Sequence, residues 1–138
     1  MAPQELERAA SKYASEAIKY DSQGGNAVDA AVASALALGV CEPQASGLGG
    51  QTMLLIGDGK KRIAVDGSSR APSLAHASSI YKDDRAVGYR ATTVPSTPAT
   101  LWYVQEQYGK LKWEEVLQPA IELAEQGYQI SALQESLL

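Results

Sequence analysis

The chain has 138 residues, 45% of them hydrophobic and 20% charged, with a formal net charge of −4. That length accommodates one domain with a real core and is short for two. Acidic and basic residues are interspersed, which leaves no electrostatic footprint for nucleic acid, and no apolar run is long enough to span a bilayer.

The first residues, MAPQELERAASKY, are polar and acidic where a signal peptide would be basic and then apolar. The expectation is a cytoplasmic protein, or a chain that begins inside a longer gene product whose parent is periplasmic or secreted. Residues 1–138 read as a single domain. From Glu5 to Gln23, Leu6, Ala10, Tyr13, Ala17 and Tyr20 recur on one face, predicting an amphipathic helix ended by Gly24-Gly25. Asn26 is a good N-cap for a second helix, Ala27 to about Leu38. Val28, Val32 and Leu36 form one stripe of it, alanines cover most other directions, and only Asp29 and Ser34 are polar. A helix apolar on nearly all sides is expected to be buried on more than one of them.

Gln51 to Ile56 and Lys61 to Asp66 read as two strands joined by the turn Gly57-Asp58-Gly59-Lys60, with Ile63 and Val65 on one face. Gly67-Ser68-Ser69-Arg70-Ala71-Pro72 leaves the sheet. A short helix is expected near His76 to Tyr81, and a short strand from Ala91 to Val94 that Pro95 halts. Thr97 then caps a helix with Pro98 at its first position, where the missing N–H is harmless. Leu101, Val104 and Tyr108 are its buried stripe and Gly109 its end. Trp113, Val116, Leu117, Ala120, Ile121 and Ala124 follow helical spacing, with Glu114, Glu115, Glu122 and Glu125 turned outward. Pro119 inside that run predicts a kink or a break, since an interior proline costs about 3 kcal/mol. Gly127 closes the helix and Ser131 opens another that stops at Leu138 after two turns. With so few strands, the sheet is expected to be incomplete.

Few residues offer chemistry. Cys41 is the only cysteine, which excludes an internal disulfide, and its ordinary reading is a small buried side chain. His76 is the only histidine, so a zinc site would need an unusual ligand set. Glycine amides in Ser46-Gly47-Leu48-Gly49-Gly50 can cradle an anion. Phosphate loops and dinucleotide fingerprints, however, lead into a helix, whereas a strand follows here; a tight turn with close backbone approach is the plainer reading. Arg70 lies just beyond a strand end, where a guanidinium can grip a carboxylate through two parallel hydrogen bonds, or simply be solvated. Ser68 and Ser69 have no neighbouring base, which argues against a serine nucleophile. Trp102 and Trp113 read as core or helix packing.

The blocks QGGNAVDAAVASALALGVCEPQASGLGG, VDGSSRAP and TVPSTPATLWYVQEQYGKLKWEEVLQPAIELAEQGYQIS, together covering about Ser15 to Ser131, resemble consecutive parts of the gamma-glutamyltransferase family. The resemblance implies an α/β (α+β) N-terminal-nucleophile hydrolase fold, αββα layers of which only a partial set is present. It also implies maturation into a large and a small subunit. The new N-terminal threonine of the small subunit attacks an amide carbonyl, with its own amine as base. This chain resembles the early part of the large subunit, so the nucleophile lies outside the matched region and no catalytic residue is assigned here. Gly49-Gly50 fall, by the same resemblance, in a structural turn. No metal or organic cofactor is implied. The implied partners are a small-subunit-like chain or a second copy, with a small-molecule amide substrate in the complete enzyme.

The substrate block departs from the family. Typical members read Asp-Gly-Arg-Glu-Thr-Ala-Pro there, and the arginine holds the alpha-carboxylate of the gamma-glutamyl group. Counting back from Ala71-Pro72, Ser68 occupies that position and the arginine stands two places later, at Arg70. In extended backbone this is the same face shifted by about 6.6 Å. Either Arg70 takes over from there, or the contact is missing. The pattern is closer to acylase-type or unassigned members, which leaves glutathione unsupported as the substrate. Gln51, where the family commonly has another glycine, is a lesser departure. Ser68 and Arg70 are therefore the candidate substrate-binding residues. Two functional classes follow: a fragment of an amidohydrolase, inactive by itself, or a non-catalytic module that completes its sheet by pairing with another chain.

Overall fold

The structure, a computed structural model, describes residues 24–57, 59–130 and 132–137, with Asp83, Arg85 and Leu133 by backbone only. The helix expected over Glu5 to Gln23 lies outside the described residues.

Helix α1 (Ala27–Cys41) begins where the sequence places it. Asn26 Oδ1 accepts the Val28 and Asp29 amides at 2.8 and 3.2 Å, and the Asp29 carboxylate reaches back to the Asn26 amide at 2.6 Å. This reciprocal cap satisfies amides that a helix start otherwise leaves open. Asn26 Nδ2 also donates to the Tyr108 carbonyl at 2.8 Å, tying this helix start to the end of a later helix. Loss of both roles in Asn26→Ala is expected to cost about 1–2 kcal/mol. A urea midpoint equal to that of the wild-type chain would rule the cap out as a stabilising element. At the far end, helix α1 runs three residues beyond the expected Leu38. Tyr128 Oη and Gln134 Nε2 donate to the carbonyls of Val40 and Cys41, so distant side chains satisfy its last turn. Cys41 is buried, as expected.

Strands β1 (Thr52–Gly57) and β2 (Arg62–Gly67) form an antiparallel hairpin in the register Leu54↔Val65, Ile56↔Ile63. Gly59, at φ +86°, supplies the left-handed turn residue. Among the described residues the sheet has these two strands. Period-2 alternation turns Leu54, Ile56 and Val65 inward, while Met53 and Leu55 remain 68% and 73% exposed on the outer face.

Helix α2 (Thr97–Tyr108) carries Pro98 in its first turn. Its N-cap is Ser96 rather than the expected Thr97, and the Ser96 hydroxyl donates to the Gly67 carbonyl instead of to the helix. Helix α3 (Trp113–Gln126) runs unbroken through Pro119, so the break that proline could have caused does not occur. A proline removes one backbone donor, but Val116 and Ala120 on either side of it are buried in the core, and that packing holds the turn together. Gly127, at φ +76°, ends the helix, and helix α4 (Ala132–Leu137) follows.

The core is built from Val32, Ala33 and Leu36 of α1, Leu101 and Val104 of α2, and Val116 and Ala120 of α3. The inner face of the hairpin packs against it, so the helices lie on one side of the sheet. As expected, α1 is buried on more than one side, packing against both α2 and α3, while Ala27 and Ala31 are exposed. Trp113 packs on the core, but Trp102 is half exposed, a correction to the expectation of packing for both. Residues 73–95 also differ from expectation. Instead of a helix over 76–81 and a strand over 91–94, the chain forms single 3-10 turns at Lys82–Arg85 and Tyr89–Ala91. Only Val94 pairs, as an isolated bridge to Arg70. With few apolar residues at either period, this segment has no face to bury. No helix among the described residues is long and apolar enough to cross a membrane.

Candidate substrate-binding loop

Both candidate residues lie where β2 leaves the sheet. The ladder ends at Gly67, and Arg70 returns to β pairing only through its bridge to Val94. Asp66 stops the ladder: its Oδ1 accepts the Ser68 amide at 3.0 Å and the Ser68 hydroxyl at 2.6 Å. That side chain-to-backbone bond gives the chain an alternative to the ladder. The Ser68 hydroxyl and amide together hold the Asp66 carboxyl below its ordinary value. The hydroxyl proton of Ser68 is thus already committed inside the loop.

Gln51, just ahead of β1, stands one step beyond the pair Thr52↔Gly67 and reaches across to the same loop. Its Oε1 accepts the Ser69 amide at 3.2 Å and the Ser69 hydroxyl at 3.4 Å. Arg70 then exchanges backbone hydrogen bonds with Val94, N to O at 3.2 Å and O to N at 2.8 Å. Its side chain is exposed, and its guanidinium makes no hydrogen bond or ion pair among the described residues. By contrast Arg90 donates to Asp84 at 3.2 Å, to the Ser79 carbonyl and to the Tyr89 hydroxyl, so its donors are engaged within its own loop.

The floor under this loop is a hydroxyl-rich joint with α2. The Gly50 carbonyl accepts the amides of Ser96 and Thr97, and Thr52 Oγ1 lies 2.9 Å from Thr97 Oγ1. The glycine-rich stretch closes as a turn, Gly50 N to Gly47 O at 3.2 Å, and its carbonyl rather than its amides meets the helix start. That arrangement is a joint, not an anion cradle. A Cβ at Gly47 or Gly49 would meet nothing, but one at Gly50 would touch the Gly47 carbonyl and one at Gly39 the Gly47 Cα, so the stretch is the tight turn expected, with a still closer approach at Gly67. His76 is exposed, and no cluster of metal-ligating side chains occurs among the described residues.

One polar centre has no counterpart in the sequence reading. Asp29, fully buried in the first turn of α1, accepts from Gln105 Nε2 and from the amides of Lys110, Leu111 and Asn26. Burial pushes its carboxyl up, but the bonds from Gln105, Leu111, Asn26 and Lys110 outweigh it and hold the group below the ordinary value. It binds the turn between α2 and α3 onto the start of α1. Its role is structural; a polar residue on an otherwise apolar helix was the available signal.

A family model described as gamma-glutamyltranspeptidase matches residues 10–138. The chain belongs to that family. The glutathione hydrolase proenzyme of Pseudomonas aeruginosa is 41% identical over an alignment of 117 positions that covers 78% of this chain and 21% of that protein. A gamma-glutamyltranspeptidase from Pseudomonas nitroreducens superposes with a TM-score of 0.80 at 34% identity, over 90% of this chain and 39% of that one. A cephalosporin acylase from Bacillus halodurans reaches a TM-score of 0.81 at 30% identity, over 91% of this chain and 24% of that one. The chain spans about a fifth of the length of the curated relatives it matches. It is a mixed helix-and-sheet member of the gamma-glutamyltranspeptidase family that corresponds to the N-terminal part of such proteins. Gln51 and the Ser68-Ser69-Arg70 run touch one another through the Gln51–Ser69 bonds.

Proposed function

We propose that this chain is a large-subunit fragment of a gamma-glutamyltransferase-like amidohydrolase and that Arg70 receives the carboxylate of its substrate. The parent enzyme cleaves a gamma-glutamyl or related acyl amide and passes the acyl group to water or an amine. The observation that carries the proposal is the Arg70 guanidinium: exposed, unpartnered among the described residues, and mounted on backbone bonded to Val94 from both sides. Such a group retains all its donors for a planar anion. Ser68 is the lesser contact, because its hydroxyl proton is held by Asp66 while its oxygen still accepts.

By this reading the chain alone has no nucleophile and turns over nothing. The attacking threonine comes from a small-subunit-like partner, and this chain supplies part of the αββα layers. Helices on one face of the hairpin and exposed Met53 and Leu55 on the other suit a layer that a second sheet covers. Purified protein is expected to release no aniline from a gamma-glutamyl anilide; turnover abolished by Arg70→Ala would overturn the inactivity. L-glutamate titrated against the wild-type chain is expected to shift the Arg70 Nε–H resonance. Arg70→Ala should weaken that binding, followed at backbone amides, about tenfold. Equal affinity in the two proteins removes Arg70 from the site.

The same exposed outer face also favours a second reading, a non-catalytic module that completes its sheet with another chain. Light scattering separates them. A defined oligomer or a complex with a second polypeptide that lacks amidase activity supports the module, and a monomer argues against it.

A further inference from the structure

We infer that Gln51 is a positioning residue: its side-chain carbonyl sets the backbone from which Arg70 projects. The inference rests on the reading of Arg70 as a carboxylate contact, and the measurements below separate the two.

From Ser68 to Arg70 each residue is held by one neighbour. Ser68 is fixed by Asp66, from its own strand. Arg70 is fixed by Val94, across the bridge. Ser69, between them, is held among the described residues by Gln51 Oε1, which takes both its amide and its hydroxyl. Without that oxygen, the peptide joining Ser68 to Ser69 can rotate while its neighbours stay anchored. Such a rotation turns the backbone at Arg70 and swings the guanidinium, whose long side chain has no other partner among the described residues to steady it. Gln51 can do this because the register Thr52↔Gly67 puts it opposite the loop, and Gly50 behind it is pinned by Ser96 and Thr97. Its anchor is therefore part of the joint with α2. The loop gains order from β1, its own strand and the 73–95 segment together, and Gln51 is the β1 contribution.

The test uses the 138-residue chain, labelled for NMR, with two substitutions. Gln51→Met keeps the side-chain length and loses the acceptor, whereas Gln51→Glu keeps an acceptor. Exchange of the Ser69 amide is expected to quicken about threefold or more in Gln51→Met and to return to within about twofold of wild type in Gln51→Glu. The urea midpoint is expected to match wild type in both, since the bonds are exposed. L-glutamate affinity, followed at Arg70 Nε–H, is expected to fall about threefold in Gln51→Met. Ser69 exchange that is the same in wild type and Gln51→Met overturns the inference, whatever glutamate does. Faster exchange with unchanged glutamate affinity also overturns it, leaving Gln51 a local brace without influence on Arg70. If wild type binds no glutamate while exchange and Arg70 Nε–H relaxation both respond to Gln51→Met, the carboxylate reading falls and the positioning role stands.

Discussion

Asp29→Asn is expected to destabilise the chain by about 3 kcal/mol or more at pH 7. The carboxylate is fully buried and accepts from Gln105 and from the amides of Asn26, Lys110 and Leu111. An asparagine has the same outline but only one accepting oxygen, and its NH₂ would face the amides of Asn26, Lys110 and Leu111, although Gln105 Nε2 keeps the Leu111 carbonyl as a second acceptor. Each buried donor left unsatisfied costs about 1–3 kcal/mol, a large share of the roughly 5–15 kcal/mol that holds a domain together.

The same group sets a pH dependence with a definite sign. Burial raises the Asp29 pKa, yet the bonds from Gln105, Leu111, Asn26 and Lys110 bring it below the ordinary value. A depressed folded-state pKa means that the contribution is complete above the unfolded value of about 3.9 and lost as pH falls through the lower folded value. The wild-type urea midpoint should therefore be level with respect to Asp29 from neutral pH down to about 5 and decline below about 4. Asp66 and Asp84 are also held low by hydrogen bonds and act in the same direction, but both face solvent. The Asp29→Asn midpoint should fall less on acidification, so that the two curves converge. Parallel curves would show that Asp29 does not titrate with folding, and coincident ones that its network carries no stability.

Asp29 also marks where a sequence stops being legible. The Asn26 cap, the hairpin around Gly59 and the stop at Gly127 were readable because each depends on side-chain or backbone chemistry within a few residues. The inward set Leu54, Ile56 and Val65 follows from a period of two, and the Leu101–Val104 stripe from one of 3.6. Apart from Asn26, the partners of Asp29 lie 76 to 82 residues away in chain order, and no periodicity announces them. Pro119 does not break its helix because propensity is local while the burial of Val116 and Ala120 that overrides it is not. Ser96 was passed over as the cap because its hydroxyl is taken by the Gly67 carbonyl of another element. For the candidate loop, Arg70 and Ser68 could be singled out from the strand end and from the family blocks. Their environment could not. That Asp66 holds Ser68, that Gln51 reaches Ser69 and that Val94 brackets Arg70 are all properties of how β1, β2 and the 73–95 segment meet.

Gly67→Ala is expected to cost about 2–3 kcal/mol through overpacking at the point where that meeting is tightest. Gly67 does not lie at positive φ, so its backbone conformation is open to any residue and space alone decides. A Cβ there would stand well inside contact distance of the Thr100 side chain and of the Thr52 carbonyl. Thr100 belongs to α2 and has a side chain that can be cut back; the Thr52 carbonyl is the backbone of the paired strand and cannot retreat without opening the ladder. Thr100→Ala should therefore recover part of the loss but not all of it. In a double-mutant cycle on urea midpoints the two substitutions are expected to couple favourably, by about 1 kcal/mol. Strict additivity would mean that the added methyl does not meet Thr100, and an unperturbed Gly67→Ala that α2 does not sit this close to the hairpin. Because Ser68, Ser69 and Arg70 follow immediately, the displaced strand end also predicts faster exchange of the Ser69 amide in Gly67→Ala. Recovery of that exchange should track recovery of stability in the double variant, since the Arg70 loop and the α2 joint share the same few residues.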